Sequence, residues 1–138
     1  MRSKQSPNYH PSEDEEFMNP RQLEYFRQKL LRWRVELLAE SSETLQHLKE
    51  ESLLKPDITD RASLETERAI ELRTRDRERK LIAQIDAALA RIADRSYGYC
   101  EETNEPIGLR RLDARPTATL SLDAQERHER MERTHRDD

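Results

Sequence analysis

The sequence predicts a mainly α protein, built as a long antiparallel two-helix coiled coil with a small globular base and a C-terminal helix. Three observations carry this. The chain has two glycines and six prolines in 138 residues, and 39% of its side chains are charged while only 5% are aromatic. Glu, Arg, Leu and Ala are prominent, and these residues lose little rotamer freedom in a helix. Apolar residues also recur at steps of three and four along two long segments, which a proline-bearing turn separates.

Taken in order, residues 1–17 contain Pro7, Pro11 and the run Ser12-Glu13-Asp14-Glu15-Glu16. So little apolar surface cannot offset ordering entropy, which predicts a disordered acidic tail. Asn19-Pro20-Arg21-Gln22 then supplies an N-cap side chain, a proline at the first helical position and Gln three residues after the cap. From this start Leu23, Phe26, Leu30, Trp33 and Leu37 form one apolar face, continued more weakly by Thr44 and Leu48. Phe26 and Trp33 lie within the stripe and read as core. Lys55 precedes Pro56, which disfavours helical geometry at Lys55, so the helix stops by about residue 54.

Asp57-Ile58-Thr59-Asp60 has turn and cap chemistry, and a second helix is expected from about Asp60 to Asp94, ended by Tyr97-Gly98. Its best apolar stripe is Leu81, Ile85, Leu89 and Ile92. Helices of roughly 35 residues are about 50 Å long, and a short connection makes them antiparallel neighbours. That pairing concentrates the apolar seam at the base and leaves a polar tip. A two-helix hairpin alone is weak, so residues 96–138 must complete a core, with Ser121 as the N-cap of a terminal helix running to about Arg133. The expected organisation is a tail over 1–17, a hairpin over 18–95 with its tip at 55–62, and a base with terminal helix over 96–138.

Composition also bounds function. The formal charge of −4 disfavours a whole-molecule duplex-DNA binder, which needs a basic footprint, and a protein partner fits better. No apolar run approaches bilayer length and no signal-peptide core follows Met1-Arg2-Ser3-Lys4. With a single cysteine, these features suit a reducing cytosol. Ser-His-Asp order, phosphate loop and metal-helix motif are all missing, so the sequence predicts no enzyme.

Three stretches agree in order and spacing: Asp57-Ile58-Thr59-Asp60-Arg61-Ala62 at the turn, Glu71 to Ile82 on the second helix, and Tyr97-Gly98-Tyr99-Cys100 through Ile107 to Ala118. Together they closely resemble the DksA/TraR family over about residues 17–133. The resemblance implies a transcription factor that inserts its coiled coil into the secondary channel of RNA polymerase. Such a factor changes initiation-complex lifetime at rRNA and stringent-response promoters, commonly with the alarmone ppGpp, and the expected form is a monomer. It places Asp57, Asp60, Arg61 and Ala62 at a polymerase-contacting tip. Two carboxylates carried into a narrow, low-dielectric cavity beside Mg²⁺ or basic groups would be consequential there. Helix capping is the competing and compatible role for either Asp.

The run Arg73, Arg75, Arg77, Arg79 and Lys80 is interrupted by Asp76 and Glu78. It suits a phosphate-bearing ligand or an acidic surface, or else a solvated face with pairs such as Asp76–Lys80. The resemblance puts Arg73, Arg77, Leu81 and Arg115 on a polymerase and ppGpp surface. Gln84 and Gln125 stand where the family commonly has cations, which weakens attraction to a polyanion. The four-cysteine finger that the family usually carries falls on Cys100, Thr103, Ser121 and Ala124, so one thiolate remains. Thr, Ser and Ala are not ordinary zinc ligands, and the expectation is a degenerate, zinc-finger-like base without metal cofactor. Packing and caps would hold it instead. Two alternatives are a Gre-type transcript-cleavage factor, which carries a larger β-containing domain behind its hairpin, and a generic coiled-coil scaffold, which explains the stripes alone.

Overall fold

The structure, a computed structural model, describes residues 8–54 and 61–137. Four helices follow in order: α1 Pro20–Leu54, α2 Arg61–Asp94, α3 Leu109–Ala114 and α4 Leu122–Asp137. Among the described residues the only β pairing is an isolated antiparallel bridge between Tyr99 and Pro106. The chain is mainly α, with two long helices packed together and a C-terminal helix, as the periodicity predicts.

Each helix end has a local cause. Asn19 Oδ1 accepts from Gln22 N–H at 3.0 Å, and Gln22 Oε1 in return accepts from Met18 N–H at 2.8 Å. This reciprocal capping pairs two otherwise orphaned donors at the start of α1. α2 stops where Arg95 turns to φ 68°, and the N–H groups of Ser96 and Tyr97 bond back to the Arg91 carbonyl. Ser121 Oγ accepts from Ala124 N–H at 3.2 Å, capping α4, which continues past Arg133 to Asp137.

The described residues fall into two units, Met1–Leu30 with Asp86–Asp138, and Leu31–Ile85. The first is built from both ends of the chain, so the base recruits the first turns of α1 and the last turns of α2. Its buried set is Leu23, Phe26, Leu30, Ala88, Ile92, Tyr97, Cys100, Ile107, Leu112 and Ala124. Phe26 meets Tyr97 with ring centroids 5.6 Å apart, and the Tyr97 hydroxyl donates to the Pro116 carbonyl at 2.7 Å. Burial of the phenol pushes its ionisation well above the ordinary tyrosine range. Lys29 reaches Asp113 at 2.6 Å and the Tyr25 hydroxyl donates to the same oxygen at 2.8 Å, fixing α3 on α1. α3 itself was not foreseen.

From residue 8 onward the expected acidic tail is not free. The Tyr9 hydroxyl donates to Glu15 at 2.9 Å, Ser12 N–H donates to Glu15 at 3.1 Å, and Gln22 Nε2 donates to the Ser12 carbonyl at 3.2 Å. Arg21 stacks 4.1 Å over the Tyr9 ring, while Phe17 packs edge-on against Tyr99 at 5.5 Å. Glu15 is held below the usual carboxylate range chiefly by the Tyr9 hydroxyl. Two aromatics and one internally satisfied carboxylate supply what the charge count concealed.

In the second unit α1 and α2 run antiparallel: Ser41 Oγ donates to Glu78 at 2.5 Å, and further along α1 Leu45 and Leu48 share a groove with Leu64 and Arg68. Leu37 and Ser41 are buried, whereas Thr44 is exposed and Leu45 takes the inner position. The seam steps by four from Leu37 to Ser41 to Leu45 because a straight helix drifts off a strict heptad. Trp33, Leu81 and Leu89 are half-buried in their respective units.

Candidate functional site

Asp57 and Asp60 lie outside the described residues, so the carboxylate pair expected at the tip is not placed. Arg61 opens α2, and Ala62 is exposed with its carbonyl accepting from the Thr66 hydroxyl at 2.9 Å. α1 ends at Leu54 and α2 begins at Arg61, so Asp57 and Asp60 come in sequence between the two long helices.

The cationic run on α2 resolves into two groups. Arg75 pairs with Glu71 at 3.2 Å, while Asp76 pairs with Arg79 at 3.3 Å and with Lys80 at 3.0 Å. Lys80 and Arg79 together hold the Asp76 carboxyl below its ordinary value. Arg73 and Arg77 are exposed and make no ion pair or hydrogen bond among the described residues. They are four apart and share one face of the helix. Two guanidinium groups of this run thus remain available to an external anion. Leu81, half-buried, follows Arg77 by four residues; Gln84 is exposed. Arg115 belongs to the other unit, where it is exposed and its backbone N–H closes α3 on the Arg111 carbonyl. Gln125 donates to Glu129 at 3.3 Å on α4.

The finger region does bring its four key positions into one neighbourhood. Cys100 N–H donates to the Glu105 carbonyl at 2.8 Å, Asn104 N–H returns to the Cys100 carbonyl at 2.9 Å, and Glu101 N–H reaches the Thr119 carbonyl at 2.9 Å. Asn104 takes the left-handed turn position with φ 61°. Cys100 is buried, which opposes ionisation of its thiol. The Thr103 hydroxyl and the backbone N–H groups of Ser121, Thr103 and Glu102 outweigh that, drawing it down to about 6. Ser121 caps α4 and Ala124 is fully buried below it. His128 on α4 pairs with Glu102 in the first loop, a contact that sequence spacing did not disclose.

Two long paired helices followed by a small turn-rich module define a class of helical-hairpin proteins. Residues 22–92 match the family described as "DnaK suppressor protein DksA, N-terminal domain", and residues 95–130 match "Prokaryotic dksA/traR C4-type zinc finger". The chain belongs to the DksA/TraR family. It is 69% identical over 131 residues to the RNA polymerase-binding transcription factor DksA of Caulobacter vibrioides, covering 95% of this chain and 92% of that protein. It is 47% identical over 115 residues to the factor of the same name from Escherichia coli, covering 83% and 76%. The structure of transcription factor DksA2 from Pseudomonas aeruginosa matches with a TM-score of 0.69 and 43% identity, over 85% of this chain and 90% of that one.

One expectation needs correction. A chain without zinc was read from Thr103, Ser121 and Ala124, but residues 95–130 match a C4-type zinc finger family, which brings zinc to this segment as the family's metal. As for fit, Cys100 is an ordinary zinc ligand, the Thr103 hydroxyl is bonded to its thiol, Ser121 caps α4, and Ala124 offers no donor. These residues do not make up a four-thiolate set, so no step below is routed through a metal. Among the described residues no helix is long and apolar enough to cross a membrane.

Proposed function

We propose that this protein is a transcription regulator that binds RNA polymerase, in the cytoplasm and as a monomer, without catalytic chemistry of its own. The observation that carries the reading is the 69% identity, across nearly the whole chain, to a factor named for that activity. The long helices deliver the connection between them, with Asp57, Asp60, Arg61 and Ala62, into the secondary channel. In that confined, low-dielectric space a carboxylate acts on Mg²⁺ or basic groups far more strongly than in water. Arg73, Arg77 and Leu81 of the second unit, and separately Arg115 of the first, are contacts for polymerase or ppGpp. The free guanidinium groups of Arg73 and Arg77 support this, since they offer bidentate donors to phosphate or carboxylate. Residues 18–95 act as the hairpin and 96–138 as the base of this device. Regulation follows from altered stability of the initiation complex.

The test is the lifetime of open complexes at an rRNA promoter, with and without the protein and with and without ppGpp. The parent is expected to shorten that lifetime. Asp60→Asn should keep polymerase affinity but lose the effect, because shape survives while charge does not. An Asp60→Asn variant that regulates as the parent does would overturn the role given to the tip. Transcript cleavage by the parent on a backtracked complex would overturn the reading in favour of a cleavage factor.

A further inference from the structure

We propose that the groove between α1 and α2 in the Leu31–Ile85 unit binds a small molecule, a free alkyl carboxylate with one negative charge and a chain of about ten carbons. The site is separate from the function proposed above and does not depend on it. It originates in a mismatch between the two helices. Where Leu37 and Ser41 are buried, the seam is closed. Further along α1, Leu45 and Leu48 line the groove and are only half-buried. The α2 wall opposite them offers one leucine, Leu64, itself 49% exposed, and otherwise charged side chains. Two leucines thus meet one, and about 450 Å³ stays open where a well-matched seam would interdigitate. That volume lies within the range of small-molecule pockets.

Size and charge select the occupant. The α1 wall runs from Ser42 to Lys49, a rise of about 10 Å. The mean cross-section is therefore about 45 Å², whereas a helix about 10 Å across needs about 80 Å². A peptide helix is too thick, while an extended chain, gaining about 1.2 Å per bond, covers the wall with about ten carbons. Of the charged lining groups, Arg75 and Glu71 pair with each other at 3.2 Å. Lys49 and Arg68 make no ion pair or hydrogen bond among the described residues, and Glu67 is the lining carboxylate that opposes them. Glu50, next to Lys49, is engaged by Gln46 and His47. One positive charge is left over, which a single carboxylate balances and a phosphate, with nearly two charges, exceeds. No aromatic ring lines the groove among the described residues, so a nucleobase has nothing to stack on. Three leucines instead offer methylene contacts.

The experiment titrates the full chain with monomeric decanoate and with decanol, following the leucine methyl resonances by NMR and the heat by calorimetry. Decanoate is expected to saturate one site and to shift the methyls of Leu45, Leu48 and Leu64. Decanol, which lacks the charge, should bind roughly tenfold more weakly. Lys49→Gln/Arg68→Gln should lower the decanoate affinity to that of decanol and leave decanol unchanged, whereas Leu64→Gln should weaken both. Lys49, Leu64 and Arg68 are all exposed, and circular dichroism checks that each variant folds. Absence of saturable decanoate binding overturns the inference, as does binding that both folded variants retain in full. Methyl shifts confined to the other unit overturn it too, because the chain then sits elsewhere. So does capture by anionic phosphatidylglycerol vesicles without binding of monomeric decanoate, which makes the groove a membrane contact, or displacement of decanoate by a nucleotide. None of these outcomes bears on polymerase binding, which the open-complex assay reads separately.

Discussion

Replacing Tyr97 by Phe tests the packing of the first unit through two effects of opposite sign. The phenol is fully buried and its hydroxyl donates to the buried Pro116 carbonyl at 2.7 Å. Deleting it leaves that carbonyl unpaired where water does not reach, at a cost of about 1.5 kcal/mol. For a chain of this size that lowers the melting temperature by about 5 °C near neutral pH. The alkaline side runs the other way. Unfolded Tyr97 releases its proton near its ordinary value of about 10, while the folded phenol, desolvated and facing Asp113, holds it to higher pH. Above that value the native state binds more protons, so stability falls with rising pH by up to about 1.4 kcal/mol per unit from this residue alone. Tyr97→Phe removes that loss. The stability curves of parent and variant are therefore expected to meet near about pH 11. Tyr9, pushed up to about 12 by burial and by Glu15, contributes equally to both proteins and cancels in the difference. Urea unfolding followed by helical circular dichroism from about pH 7 to about pH 11 measures this directly. A difference that stays constant across the range refutes the linkage, and no difference at neutral pH refutes the hydrogen-bond argument.

Other perturbations follow from the same contacts. Lys29→Ala removes the ammonium that, with the Tyr25 hydroxyl, holds the Asp113 carboxyl below its ordinary value. Because the pair is half exposed, the loss at neutral pH should stay under about 1 kcal/mol. It should fade as pH drops through the lowered carboxylate value, where the parent loses the same contribution; denaturant melts at two pH values check this. Ser41→Ala leaves Glu78 without its buried donor and should cost about 1 kcal/mol, read from a shifted urea midpoint at unchanged slope. Gly98 and Gly108 both have φ near +100°, but a Cβ at Gly98 would lie 3.0 Å from Met18 Cγ while one at Gly108 meets nothing within 4 Å. Gly98→Ala should therefore destabilise more than Gly108→Ala, each by at least about 1 kcal/mol, and Met18→Ala should recover part of the difference in a double-mutant melt.

Much of the fold was legible because helical periodicity and capping are local. Asn19-Pro20 marked the start of α1, Ser121 that of α4, and Leu23, Phe26, Leu30 and Leu37 are buried as their spacing required. The stripe failed at Thr44, where accumulated drift carries the seam to Leu45. Within the expected tail over 1–17, the contacts of Tyr9 with Glu15 and Arg21 and of Phe17 with Tyr99 are tertiary features that net charge does not report. α3 was missed because six residues carry too little periodicity. At the candidate site, Arg73 and Arg77 were named from the family pattern, but only geometry separates them from neighbours already bound to Glu71 and Asp76. The zinc expectation failed differently: donor chemistry at Cys100, Thr103, Ser121 and Ala124 reads one way, and membership of a C4-type finger family the other.

The unit that joins Met1–Leu30 to Asp86–Asp138 has a consequence for biosynthesis. On the ribosome, Leu23, Phe26 and Leu30 emerge long before Tyr97, Ile107 and Leu112 are translated. At about 5–20 residues per second, that delay lasts several seconds. During it the apolar start of α1 has no native neighbours and depends on the local pairing of Leu31–Ile85 or on a chaperone. A chain halted before Leu112 would leave the ribosome with its oldest segment still uncovered, marked for proteolysis before it could compete with the finished factor.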